Sequence, residues 1–291
     1  TILEQVYTLS PMQEGLLFRN LYQTSDEYLV QNVFELEGVI ENQLLKEAWQ
    51  AIIDHYPILR TGFIWEGLNK PHQYVCNSIS VSWFEEDWSF YKQEEQVNFL
   101  EEAIRKDRNI RFDLTKAPLV RFQLFKLSET RAYLIWTQHH ILLDGWCGPI
   151  LMNNFLQAYT NIREGKIPQF SYSRPYRDYI AWLQLQDQEK AENFWEEYLR
   201  SLEEGTKFNL KVVNQLQEGK QWDKKQQKEE YGHYEFSLSE EESKSLRSFA
   251  QLQQLTINTV LQGVWSILLS KYTAQEDIVF GVDRKSTRLN S

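Results

Sequence analysis

The sequence predicts an α+β fold. Three observations predict it. Amphipathic helical segments and short β-rich runs follow one another in mixed order without any internal repeat. Two strand-like runs, 120–127 and 132–138, are joined only by the polar turn Ser128-Glu129-Thr130, which requires an antiparallel hairpin. Helix boundaries are punctuated by caps and prolines rather than spread through long uniform repeats.

Taken in order, Ser10-Pro11-Met12-Gln13 reads as a helix start, with Ser as N-cap, Pro at the first helical position and Gln three residues after the cap. Residues 28–36 alternate as a strand does. A second helix carries Leu44, Ala48, Ile52 and Tyr56 on one face and ends at Pro57. Strands are expected at 61–65 and 73–76, a charged helix at about 94–108, and a helix at 149–163. Residues 165–175, with two prolines, two serines and little periodicity, read as a connection between lobes. Helices at 176–186 and 189–202, an exposed Gln- and Lys-rich loop at 205–230, and a strand at 234–238 are expected beyond it. A helix capped by Ser239 with Glu242 in capping-box position, a helix near 259–272 and a strand at 278–282 complete the prediction.

At 291 residues and 42% apolar content the chain can bury one large core or two modest ones, and its length slightly favours two lobes. A net charge of −10 argues against nucleic acid or an anionic membrane as the main partner. Cys76 and Cys147 lie far apart and give neither a disulfide framework nor metal-ligand spacing. No signal-peptide pattern and no membrane-length apolar run is found, so a cytoplasmic location is expected.

The stretch with the most chemistry is Gln138-His139-His140-Ile141-Leu142-Leu143-Asp144-Gly145-Trp146-Cys147. Histidine is the side chain whose ordinary pKa suits proton transfer near neutrality, and the chain holds only five. Neighbouring strand residues face opposite ways, so His139 and His140 cannot both serve one small substrate; one is reactive and the other structural. For the same reason they do not make a metal pair, and no third ligand lies at recognisable spacing. Asp144, at a turn, can orient an imidazole or pair with a cation and hold the turn. Gly145 lets the backbone pass where a side chain would obstruct a channel.

This run resembles the core motif of the condensation domains of non-ribosomal peptide synthetases, which share the two-lobe fold of chloramphenicol acetyltransferase. Further stretches resemble other motifs of that family in the same order: Leu9-Ser10-Pro11-Met12-Gln13-Glu14-Gly15, the Leu59-Arg60-Thr61 centre of 54–63, Phe112-Asp113-Leu114 with Pro118, Leu119 and Arg121, and Tyr176-Arg177-Asp178-Tyr179. The resemblance covers residues 1 to about 282 and implies an N-terminal lobe at 1–170 and part of a second at 171–282. It implies that His140 is the catalytic residue, that Asp144 pairs structurally with Arg60, and that His139, Gly145 and Trp146 shape the segment. The implied reaction is amide formation between groups tethered to donor and acceptor carrier domains on phosphopantetheine arms, with an adenylation domain adjacent and no cofactor bound directly.

Trp146-Cys147 resembles the Trp-Ser of condensation domains, and intact histidines disfavour the cyclisation subtype, which carries aspartates there. Two alternatives stand beside this reading: a CoA-dependent or stand-alone acyltransferase of the same fold, and a non-catalytic carrier-docking domain. Tyr176, Asp178 and Trp182 are expected to pack, His55 to fill space at a helix end, and Lys224, Lys225 and Lys228 to lie in a solvated loop. After Val282 the chain departs from the family pattern; 283–291 reads as a non-native tail, and the fragment is expected to be inactive or barely active with apolar faces left uncovered.

Overall fold

The computed structural model describes residues 2–22, 28–202, 205–206 and 236–282. Two compact units result, Thr1–Gln186 and Asp187–Ser291. The first contains β1 (Leu3–Thr8), α1 (Pro11–Tyr22), β2 (Leu29–Glu37) and α2 (Asn42–His55). A 3-10 turn, Pro57–Arg60, leads into β3 (Thr61–Ile64), β4 (His72–Cys76), β5 (Trp83–Asp87) and α3 (Gln93–Arg108). The hairpin β6 (Val120–Ser128) and β7 (Arg131–His139) follows, then α4 (Cys147–Arg163) and α5 (Tyr176–Gln184). The division falls after α5, beyond the irregular 165–175 segment, because Tyr176 donates its hydroxyl to Ser10 Oγ (3.1 Å) and Gln184 donates to Thr8 Oγ1 (3.0 Å).

Two sheets organise this unit. β1-β4-β3 is antiparallel, and β2-β7-β6-β5 is antiparallel except for the parallel β5–β6 pair. In the four-stranded sheet the period of two sends successive residues to opposite faces. Phe122 and Trp136 turn toward Trp49 of α2, at ring-centroid distances of 4.2 and 5.1 Å, and Trp49 stacks on Phe155 of α4 at 4.7 Å. Phe125, Leu127 and Ile135 turn the other way and meet Trp88 and the α3 residues Phe99, Leu100, Ala103 and Ile104. Helices therefore cover both faces, and β7, paired on both edges, becomes the most enclosed strand.

The outer helix α3 is tied down by a carboxylate as well as by apolar contact. Asp107, 1% exposed, accepts from Arg121 Nε (2.6 Å), Gln123 Nε2 (2.8 Å), Gln31 Nε2 (2.7 Å) and Thr137 Oγ1 (2.5 Å). The end of α3 is thereby joined to β2, β6 and β7 through one buried charge.

In the second unit α6 (Gln188–Tyr198), α7 (Glu240–Leu252) and α8 (Ile257–Thr273) are described. The Ser239–Glu242 capping box forms as expected, with both reciprocal hydrogen bonds present. Ala250 and Leu269 are buried, but Leu261, Val264, Trp265, Ile267 and Leu268 of α8 are exposed.

Two expected strands are corrected: residues 236–238 and 278–282 are irregular, since a strand needs a ladder partner and neither has one among the described residues. Residues 234–235, the loop at 207–230 with Lys224, Lys225 and Lys228, and the tail at 283–291 lie outside the described residues. β1 and β5 are strands beyond those the sequence predicts. Among the described residues no helix is long and apolar enough to cross a membrane.

Candidate active site

β7 delivers the histidine pair. Its position between β2 and β6 lets both neighbours hold its end: His139 N–H donates to Leu119 O (3.0 Å) and His140 N–H to Tyr28 O (2.7 Å). From this shared anchor the two side chains part, as the sequence requires. His139 is fully buried and His140 is exposed.

Hydrogen bonds fix the His140 tautomer. Its Nδ1 lies 2.7 Å from Leu143 O, and a carbonyl can only accept, so Nδ1 carries the proton. In the neutral ring Nε2 is then an unprotonated acceptor, and it has no hydrogen-bond partner among the described residues. The orienting group is a backbone carbonyl of the same turn rather than a carboxylate.

His139 is a different object. Burial, then the neighbouring His140 and Arg111, lower its pKa from 6.5 to about 4, so it is neutral under physiological conditions. Its Nδ1 accepts the Ile141 N–H at 3.1 Å, which bends the chain immediately after the strand. The sign of the pH effect follows. As pH falls below 6.5 the unfolded chain binds a proton that the buried ring refuses until about 4, so stability declines through that window. The loss reaches at most roughly 3 kcal/mol. Urea midpoints measured from neutral pH down to about pH 4.5 are expected to fall more steeply for the native chain than for His139→Gln; equal slopes would refute this origin.

Asp144 closes the turn. Its Oδ1 accepts from Trp146 N–H (3.0 Å) and Cys147 Sγ (3.2 Å), and its carbonyl accepts from Cys147 N–H (3.0 Å). The carboxylate thus sits at the start of α4, where its charge suits the helix dipole. This corrects the expected Asp144–Arg60 pair. Arg60 is buried in the 3-10 turn and pairs with Glu4 of β1 at 2.9 Å. It also donates to the carbonyls of Ile53, Cys76 and Asn77. Those carbonyls belong to the end of α2 and of β4, so Arg60 ties that corner together and has its carboxylate there.

Gly145 and Trp146 are both exposed. A Cβ at Gly145 would meet nothing within 4 Å, so no neighbour among the described residues requires the glycine; what it preserves is open space beside His140's turn. α1 supports the turn from the other side. Gln13 completes the predicted cap with Ser10 and also donates to Ile141 O (3.4 Å) and Gln73 Oε1 (3.2 Å). Asn20 stands 3.3 Å from His139 Nε2. Residues of three stretches singled out in the sequence (Ser10 and Gln13, the histidine turn, Tyr176) are therefore linked, while Arg60 lies in a separate cluster. Sequence reading missed Asn20 and Asp107, which only long-range placement reveals, and the Leu143 carbonyl, a local partner set by the shape of the turn. His55, as expected, fills space at the end of α2, between Tyr56 and Phe170, whereas Trp182 is exposed.

Comparison with known proteins decides the family: residues 3–286 match the condensation domain model. This chain belongs to the condensation-domain family. A linear gramicidin synthase of Brevibacillus parabrevis is 39% identical over 280 residues, covering 96% of this chain and 5% of that protein. A surfactin synthase of Bacillus subtilis (strain 168) is 35% identical over 281 residues, covering 96% and 21%. The chain thus spans a small part of the length of these relatives. Among solved structures, SgcC5 from Streptomyces globisporus aligns with TM-score 0.65 at 18% identity over 94% of this chain and 61% of that one. The starter condensation domain of rhizomide synthetase RzmA aligns with TM-score 0.59 at 24% identity, over 67% and 50%. These likenesses establish the mixed α+β fold of the chloramphenicol acetyltransferase type. The relatives it matches are subunits of peptide synthases, so the likeness is to condensation domains of the non-ribosomal peptide synthetase kind.

Proposed function

We propose that this domain joins an acyl or peptidyl group, held as a thioester on one carrier domain, to the α-amino group of an aminoacyl acceptor on another. His140 is the catalytic residue of this reading. The observation that carries it is the exposed His140 ring, whose Nδ1–H donates to Leu143 O, so that in the neutral ring Nε2 is the nitrogen able to accept a proton. The neutral amine attacks the thioester carbon and its N–H points to Nε2. The C–N bond forms, the tetrahedral oxyanion collapses, the C–S bond breaks, and the proton taken by Nε2 leaves with the phosphopantetheine thiolate. Aminolysis of a thioester is downhill, so holding two tethered reactants together supplies much of the acceleration.

In this reading His139, Asp144, Gly145 and Trp146 shape the turn, and the domain works in the cytoplasm, binding no cofactor of its own. Its partners are donor and acceptor carrier domains and an adjacent adenylation domain. The test is reconstitution within the synthetase that carries the domain, with donor and acceptor arms loaded. Amide product on the acceptor carrier is expected; transfer from a free acyl-CoA with equal efficiency and no carrier would defeat the reading.

A further inference from the structure

His139 is buried, neutral and hydrogen-bonded at both ring nitrogens. One of those bonds has a fixed direction. Ile141 N–H can only donate, so His139 Nδ1 must accept and the ring proton must sit on Nε2. The atom of Asn20 placed 3.3 Å from Nε2 is the amide nitrogen, which would set two donors against each other. Amide oxygen and nitrogen are interchangeable in shape, and turning the group by half a revolution gives Nε2–H an acceptor in Oδ1.

We infer that Asn20 is a positioning residue: by accepting the Nε2 proton of His139 it fixes the tautomer whose Nδ1 takes the Ile141 N–H, and so sets the turn that presents His140. The inference deepens the proposed function and rests on it for its kinetic readout. The linkage is short. His139 O accepts Leu142 N–H at 3.2 Å, and Leu143 O, one residue on, holds the His140 ring. If Nδ1 carried the proton, it would face the Ile141 N–H as a second donor and the turn would open. Besides Asn20 from α1, His140 from the turn and Arg111 from beyond α3 act on the ring electrostatically, and the Tyr28 phenol lies 6.4 Å away.

Imidazole nitrogen NMR on the histidine-labelled chain reads the tautomer directly. His139 is expected to carry its proton on Nε2. Asn20→Leu removes the acceptor and is expected to mix the tautomers and to lower kcat for amide formation about tenfold with KM unchanged, the scale of one lost hydrogen bond. Asn20→Asp keeps an acceptor and adds a negative charge; the Nε2–H form persists and His139 protonates above its native value of about 4. A His139 proton on Nδ1 in the native chain, or an unchanged tautomer and kcat in Asn20→Leu, would overturn the inference. If Asn20→Leu does not fold, the native chain and Asn20→Asp still decide it. Absence of amide product with the native domain would sink the proposed function alone, since the tautomer measurement stands apart from turnover.

Discussion

His140→Ala is expected to lower the rate of amide formation by about 100- to 10,000-fold, the usual contribution of a positioned acid–base group. The same substitution is expected to leave the thermal midpoint nearly unchanged. Both halves of this expectation come from one contrast at the end of β7. The His140 ring is exposed and its single hydrogen bond among the described residues, to Leu143 O, is one that water can replace. Its backbone N–H, not its side chain, secures the strand end to Tyr28 O. Rates measured with loaded carrier domains, alongside calorimetry of both proteins, check it. A variant with undiminished turnover would remove His140 from the chemistry, and one that lost activity only by unfolding would make it structural.

Asp107→Ala is expected to destabilise the first unit by about 3–5 kcal/mol. Four side chains converge on this carboxylate, and three of them, Arg121, Gln123 and Thr137, come from the central hairpin β6–β7. Removing it leaves the Arg121 guanidinium, which also rests 4.3 Å over the Phe112 ring, without its carboxylate in a largely buried setting. Asp107→Asn keeps the shape but offers Arg121 a neutral acceptor, so a smaller loss is expected. Denaturant unfolding of the three proteins tests this order. Equal stability of Asp107→Ala and the native chain would show that apolar contact alone holds α3 to the sheet.

What could be read from the sequence was local. The Ser10–Gln13 and Ser239–Glu242 caps, the turn joining β6 to β7, and the divergence of His139 from His140 are each decided within a few residues. They survive folding because nothing distant contradicts them. What was not legible depended on partners far along the chain. β1 owes its conformation to β4, with Val6 opposite Tyr74, and β5, the acidic Trp83–Asp87, becomes a strand by lying parallel to β6. Arg60 shows the same limit: the motif names a cation, but only the corner built by α2, β1 and β4 shows that Glu4 is its carboxylate. Residues 236–238 and 278–282 carry strand composition but have no ladder partner among the described residues, and periodicity cannot supply one.

The two backbone donors that fasten the end of β7 have a consequence for how substrates gain entry. Because Leu119 and Tyr28 occupy the amides of both histidines, the segment that carries the imidazole cannot fray without peeling strands from each side of it. Slow exchange of these two amide protons with solvent is therefore expected. In the proposed reading, any breathing that admits an incoming pair of arms comes from other elements, while the backbone that carries the imidazole stays in place.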